Sequence, residues 1–492
     1  MTIASTLGQN ETQYATDDCL EEIINNTRAV RQDSEKNRFK LQINNFLAEV
    51  ASGSLVINSD LIGSIEKRIA DIDKLMSEQL SLIMHATEFQ KIESAWTGLY
   101  KLAQSSVTEN VKYTVLHCTK KELLKDFKSA SDFDQSVLFK NIYESEYGTF
   151  GGTPYSAFVG DFYFDNTPQD IDLLEHISHV AASAHAPFLS AIAPGMLSMN
   201  SFSELPYPRD LAKLFETTDY ARWRSFRQTD DSRYVGLTLP QSLGRIPYGM
   251  KTVPAETFNF EEHISEDNSG KDYLWVNTAF ELACRIVDAF EEYGWCAAIR
   301  GVEGGGLVKS LPAYNYTSHT GERLLQCPTE VAISDRREKE LSDLGFIPLI
   351  YCKGTDFAAF FAVQSVNKPR QYNTDQANAN ARLSSQLQYI LATSRFAHYL
   401  KVIVRDKVGS FMSKTECQTY LQNWIMQYVV ASDSAGQDTK ARYPLREASV
   451  EVVEIPGSPG SYRAIAWIKP HFQLEGLSMS LRLVADLPSS VS

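Results

Sequence analysis

Between residues 111 and 363, short apolar runs of strand length alternate with longer segments of helical period. No other feature of the chain restricts the fold as much. Strands are predicted at 111–118, 157–164, 188–193, 235–239, 295–299, 347–351 and 358–363. Helices are predicted at 131–146, 168–185, 272–293 and 335–344. Parallel strands need a crossover of a dozen residues or more, usually a helix, so this spacing predicts an α/β layer with at least partly parallel strands. The polar, acidic stretch 250–270, with Glu261, Glu262, Glu266 and Asp267, reads as a surface loop.

Different patterns flank this layer. Near the N-terminus Thr16 can cap a short helix, with Asp17 and Asp18 in its first turn. Leu20, Ile23 and Ile24 form a small apolar stripe beside Glu21 and Glu22. Two readings stay open for it: a helix packed on its own domain, or a helix offered to a groove elsewhere. From residue 61 the apolar positions Ile62, Ile65, Ile69, Ile72, Met76, Leu80 and Ile83 step by threes and fours, and the pattern continues through Ile92 and Trp96 towards Leu102. That seam predicts core packing against a neighbouring helix.

Residues 367–380 turn polar, and a domain boundary is placed there, giving divisions at 1–60, 61–368 and 369–492. A long helix (375–404), a second (414–430) and three strands (448–455, 462–469 and 477–487) follow. A Pro456 to Gly460 turn joins the first two strands. The last strand places Leu477, Met479, Leu481, Leu483 and Ala485 on one face. An apolar terminal strand lies at a sheet edge and either pairs within its own domain or invites a partner.

A net charge of -14 argues against nucleic acid, which would repel the chain. Seven cysteines without a CxxC pair fit a reducing compartment. The N-terminus lacks signal-peptide order and no apolar run reaches the 18 to 20 residues of a membrane span, so a soluble cytoplasmic protein is expected, with no membrane insertion.

The search for chemistry yields little. The glycine run 299–310 follows a predicted strand, but Leu307 and Val308 separate its last glycine from Lys309, where a phosphate loop needs the lysine at once. His176 and His179 share a helical face near Glu175 and His185, without HExxH spacing. The carboxylates from Asp161 to Asp170 show no sign of mutual approach, and no G-x-S-x-G elbow occurs. No catalytic residue, metal site or cofactor is expected.

The stretch from Pro187 to Pro240 carries the most specific signal. A strand ends at Pro194-Gly195, a Ser/Pro-rich connection follows, and a helix carries Leu211, Leu214, Phe215, Tyr220 and Trp223 inward. Its other face holds Arg222, Arg224 and Arg227, interleaved with acids, which fits either a surface that meets another protein or the solvated face of an ordinary domain. The runs PFLSAIAP, F-x-E-L-P-x-P-R-D-L-x-K-L-F, D-Y-x-R-W-x-x-F-R and D-S-R-Y-V-G-L-T-L-P closely resemble the large sheath subunit of bacterial type VI secretion systems, the TssC/VipB family, and the resemblance extends over nearly the whole chain.

That resemblance implies a structural protein of a phage tail sheath-like polymer, not an enzyme. The partners it implies are a small sheath subunit (TssB/VipA family), further copies in a helical sheath, an inner tube protein (Hcp family), an AAA+ unfoldase (ClpV family) and baseplate components. Leu20, Glu21, Glu22, Ile23 and Ile24 match the family's unfoldase-recognition helix. The strand Leu477 to Ala485 matches the segment that completes a sheet with neighbouring subunits. The implied fold has a helical N-terminal region, a mixed α/β core and a C-terminal domain of two helices and a terminal sheet. The competing reading is a cytoplasmic α/β enzyme without a local motif.

Overall fold

The computed structural model describes residues 33–51, 61–207, 210–265, 270–317, 323–407, 413–432, 434–454 and 462–471. The expected recognition helix at Leu20 to Ile24, the turn at 456–460 and the strand at Leu477 to Ala485 lie outside the described residues. What is described falls into two compact units. One takes residues up to 81 together with 248–263, and the other takes 82–247 together with the residues from 264 on.

The first unit holds α1 (Asp33–Ala51) and most of α2 (Leu61–Met84). The segment 248–263 lies along α2 through two hydroxyls: Ser77 Oγ accepts from the Glu261 N–H at 3.3 Å and Ser81 Oγ from the His263 N–H at 3.1 Å. The expectation of a wholly solvated acidic loop is therefore corrected at Glu262. Its side chain is buried and accepts from the Tyr248 N–H at 2.9 Å. The apolar seam of α2 is corrected too. Its period is helical, but Ile62, Ile65, Ile69, Ile72 and Met76 are all exposed, while the small polar Ser77 is buried. Nor does one helix continue to Leu102. The chain breaks at His85 and Ala86, and α3 (Thr87–Ser105) begins anew.

The second unit is built on a six-stranded sheet. After α4 (Lys120–Ser129) come β1 (Phe158–Phe164), α5 (Pro168–Ala184), β2 (Phe188–Ile192), α6 (Ala221–Arg227), β3 (Val235–Leu239), α7 (Thr278–Tyr293), β4 (Leu307–Val308), α8 (Asp335–Asp343), β5 (Ile347–Tyr351) and β6 (Ala358–Phe360). The strand order is β1-β2-β3-β5-β6-β4. The first four run parallel and β6 is antiparallel to both its neighbours. Every residue of β2 and β3 is buried, as expected for central parallel strands covered on both faces. Their polar side chains are spent inside the sheet: Ser190 donates to the Gly160 and Phe162 carbonyls, and Thr238 donates to that of Ser190.

Two predicted strands are absent. Residues 111–118 run without ladder partners and leave Val115 and Leu116 exposed, while Val111 and Tyr113 pack near Phe280 of α7. Residues 295–299 also form no strand, and their apolar content is spent on Trp295, which stacks on Phe396 at 4.1 Å. The helix expected over 131–146 is a 3-10 turn, one α-turn and a π-helix (Lys140–Tyr147) in succession. The inward-facing helix of the 187–240 stretch is likewise three pieces: Leu211–Leu214, Thr218–Tyr220 and α6. It still fills the core. Trp223 is fully buried and lies parallel to Phe346, with ring centroids 5.8 Å apart.

At the start of α5, Thr167 caps the helix and Pro168 occupies its first turn. Asp170 accepts from the ammonium of Lys120 at 2.8 Å, and the same ammonium donates to the Tyr163 carbonyl, fastening α4 to the end of β1.

The described residues end in α9 (Asp375–Ser384), α10 (Leu387–Asp406), α11 (Lys414–Met426), and the hairpin β7 (Leu445–Glu454) and β8 (Tyr462–Pro470). The expected long helix is thus interrupted at Ser385 and Gln386. A separate core of Phe396, Leu421, Ile425, Val450 and Val452 joins α10, α11 and the hairpin.

Candidate assembly surfaces

The arginine face of α6 is broken up by the fold. Arg222 is exposed and pairs with Asp172 at 3.2 Å. Arg224 is half-buried and donates to the carbonyls of Phe215 and Thr217, holding the preceding turn. Arg227 is a correction, since it is buried, not a surface residue. Its Nε donates to the Val366 carbonyl at 2.8 Å and its Nη2 to that of Asp343 at 3.2 Å, and burial pushes its pKa down to about 10. Arg227 lies one helical turn beyond Trp223, on the face that α6 turns inward. Of the three expected contact residues, Arg222 alone presents its charge to solvent.

The residues inspected for chemistry have structural partners. His179 Nδ1 meets Asp231 at 2.7 Å, and His176 stacks on Phe127 with centroids 5.0 Å apart. Among the described residues no group of His, Cys, Asp and Glu could hold a metal ion. The glycine run folds back on backbone. Gly306 accepts from the Phe360 N–H at 2.9 Å, and a Cβ there would sit 2.5 Å from the Phe360 carbonyl oxygen, so close strand packing explains the glycine.

Burial raises the pKa of several carboxyls, Asp161, Asp288, Glu338 and Glu330 among them. Glu330 follows the segment that bridges to Ser242, and its N–H donates to the Gln241 carbonyl at 2.9 Å. Desolvation pushes its carboxyl up to about 7. A folded pKa above the unfolded value means that the native state holds the proton more tightly. The stabilisation is complete below about 4.5 and is lost as pH rises through 7, at up to roughly 1.4 kcal/mol per pH unit. Glu330→Gln is expected to flatten the fall in thermal midpoint between pH 5 and 7.5. A fall of unchanged slope in the variant would refute this.

The seam expected to pack inward through Ile92 and Trp96 is corrected, because both residues lie on the exposed outer face of α3. Phe89, Ile92, Trp96 and Tyr100 are 41%, 59%, 69% and 64% exposed and follow one another at helical spacing. The opposite face of α3 is buried: Gly98 lies against the ring of Phe280, where a Cβ would approach to 2.4 Å. Lys101 pairs with the buried Glu281 of α7 on that side. The helix is anchored on one face and presents three aromatics and an isoleucine on the other. The spacing of these four residues was the available signal. On the hairpin, Ile465 and Trp467 are likewise exposed, while Ala466 and Ile468 pack against the core.

No helix among the described residues is long and apolar enough to cross a membrane. Comparison with known proteins identifies the lineage. Residues 66–367 match the model of the EvpB/VC_A0108 tail sheath N-terminal domain (VipB), and residues 376–487 match that of the EvpB/VC_A0108 tail sheath gpW/gp25-like domain. The chain is 50% identical over 440 residues to the type VI secretion system sheath protein TssC1 of Pseudomonas aeruginosa PAO1, covering 88% of each protein. Among solved structures, the anti-feeding prophage baseplate aligns at 9% identity and a TM-score of 0.36, over 76% of this chain and 84% of that one. The contracted helical sheath of the same prophage aligns at 10% identity and a TM-score of 0.31, over 63% and 66%. The two family matches and the half-identical relative place the chain, and it belongs to the VipB family of type VI secretion system tail sheath proteins.

Proposed function

We propose that this chain is the large subunit of a contractile type VI sheath in the cytoplasm. It co-assembles with a small sheath subunit into a tubule around an inner tube, on a baseplate, and works mechanically by rearranging contacts between protomers. The observation that carries the partnership is the uncovered apolar face of α3, which in a folded subunit of a polymer calls for a covering chain. We assign that cover to the small subunit. Pairing Phe89, Ile92, Trp96 and Tyr100 with the same residues of another copy would be two-fold and would close into a dimer, whereas a sheath must propagate.

Within this reading residues 1–60 serve as the N-terminal region, 61–368 as the sheath core and 369–492 as the C-terminal domain. Leu477 to Ala485 are the strand that completes a neighbour's sheet, and Leu20 to Ile24 are the handle for the recycling unfoldase. Arg222 remains the one exposed member of the arginine set available for a contact.

Co-expression with the small subunit is expected to give tubules under negative stain. A discrete particle that binds a small molecule would favour the enzyme reading instead. In assembled material, Ile23→Asp is expected to leave tubules intact while abolishing unfoldase capture, and recycling at the normal rate would remove that assignment.

A further inference from the structure

A cleft of about 560 Å³ opens between α10 and β8, with Tyr147, Ser394 and Lys401 on one wall and Ala464, Ala466 and Ile468 on the other. Its polar wall carries an ammonium without a counter-charge. The Lys401 ammonium lies 3.4 Å from the Tyr147 ring centroid and 5.0 Å from that of Tyr143, and among the described residues no carboxylate lies within ion-pair distance of it. Ser394 is 3% exposed, and its hydroxyl lies beside that of Tyr234. One turn beyond Lys401, Arg405 rests over Phe150 and gives one N–H to the Thr149 carbonyl, while its buried Nε has no acceptor. Burial, followed by the charge of Arg405, lowers the Lys401 pKa, as expected of an amine short of counter-charge. The other polar groups lining the cleft are accounted for, since His185 Nδ1 meets the Tyr234 hydroxyl at 3.1 Å.

What this wall lacks is an anion, and the chain has many. Residues 387–471 carry ten Lys and Arg against seven Asp and Glu, a net +3 within a chain of -14, so the acidic surface lies on other parts of the molecule. The opposite wall, lined by the small side chains of Ala464 and Ala466 with Ile468, leaves room for an extended segment. A basic socket and an acidic plug on different parts of one chain make a head-to-tail contact, which propagates into an open helix when its rotation does not close a ring.

We propose that the cleft between α10 and β8 is a socket for a carboxylate-bearing segment of a second copy of this chain in the assembled sheath. This rests on the sheath reading above. Within the socket, Lys401 pairs with the incoming carboxylate, while Ala464, Ala466 and Ile468 cover the apolar part of the segment.

The test uses full-length chain co-expressed with its small subunit. A water-soluble carbodiimide, which joins an amine to a carboxylate without a spacer, is applied to pelleted tubules and to the unpolymerised complex. The expected product is a band at twice the mass of the chain, present only in tubules, in which Lys401 is linked to an Asp or Glu peptide of this chain. Lys401→Arg, which keeps the charge but has no amine to couple, is expected to keep the tubules and lose the band, and Lys401→Glu to lose both. The cross-link is read on the unaltered protein, so a Lys401→Glu chain that fails to fold does not decide the matter. Lys401 linked to the small subunit, linked within a single chain, or unlinked in intact tubules would each overturn the socket. If the unaltered chains form no tubules, the sheath reading itself fails.

Discussion

Trp223→Ala is expected to destabilise the second unit by about 3–5 kcal/mol, enough to remove most of the soluble protein from cells. The indole is fully buried, stacks on Phe346 and touches Phe226, and it sits where α6 meets the sheet through β5. Removing it leaves a void that the surrounding Phe215, Tyr220 and Phe346 cannot fill without shifting the helical turns before β3. Nε1 of the indole is buried without a hydrogen-bond partner, so the loss is one of packing. Trp223→Phe is therefore expected to recover more than half of the lost stability. Urea unfolding followed by circular dichroism distinguishes the two variants. An alanine variant within 1 kcal/mol of the parent would show that the aromatic cluster is not the keystone assigned here.

How much of this was legible in the sequence depends on what kind of contact fixes each element. The central strands β2 and β3 were readable because burial on both faces writes an unbroken apolar run. Residues 111–118 and 295–299 have the same composition without the ladder. Their side chains pack, but their backbones find no neighbouring strand, and composition does not distinguish these cases. The helix across 211–227 was read as one piece because its inward residues keep a helical period through two interruptions.

Arg227 was misplaced for a different reason. Its spacing from Trp223 already set it on the inner face, but its charge argued for the surface. Two backbone carbonyls, those of Val366 and Asp343, outweighed that argument by satisfying the guanidinium in place of water. On α2 the period was read correctly and the burial was not, because a period tells which residues share a face and not whether the same chain covers it. The donors around Lys401 were illegible for a related reason, since they depend on α10 facing β8 across more than sixty residues of sequence. The candidate residues at both ends of the chain lie outside the described residues and remain proposals.

The uncovered faces lead to the second large effect. The double variant Ile92→Glu with Trp96→Glu is expected to abolish tubule formation and co-purification of the small subunit, while the large subunit's thermal midpoint moves by no more than a few degrees. Both side chains are more than half exposed in the isolated chain, so replacing them removes little native packing and costs little stability. In a complex, the same two positions would place two carboxylates against an apolar partner face, and an unpaired charge buried at an interface costs several kcal/mol. The opposite face of α3 supplies the control. Gly98→Val drives a side chain into the ring of Phe280 and must damage the fold itself, lowering the midpoint whether or not the small subunit is present. Loss of partner with fold retained in the first variant, and loss of both in the second, would separate docking from packing on one helix. Tubules of normal length from the double glutamate variant would show that the aromatic face of α3 points to solvent in the sheath as well, and that the small subunit binds elsewhere.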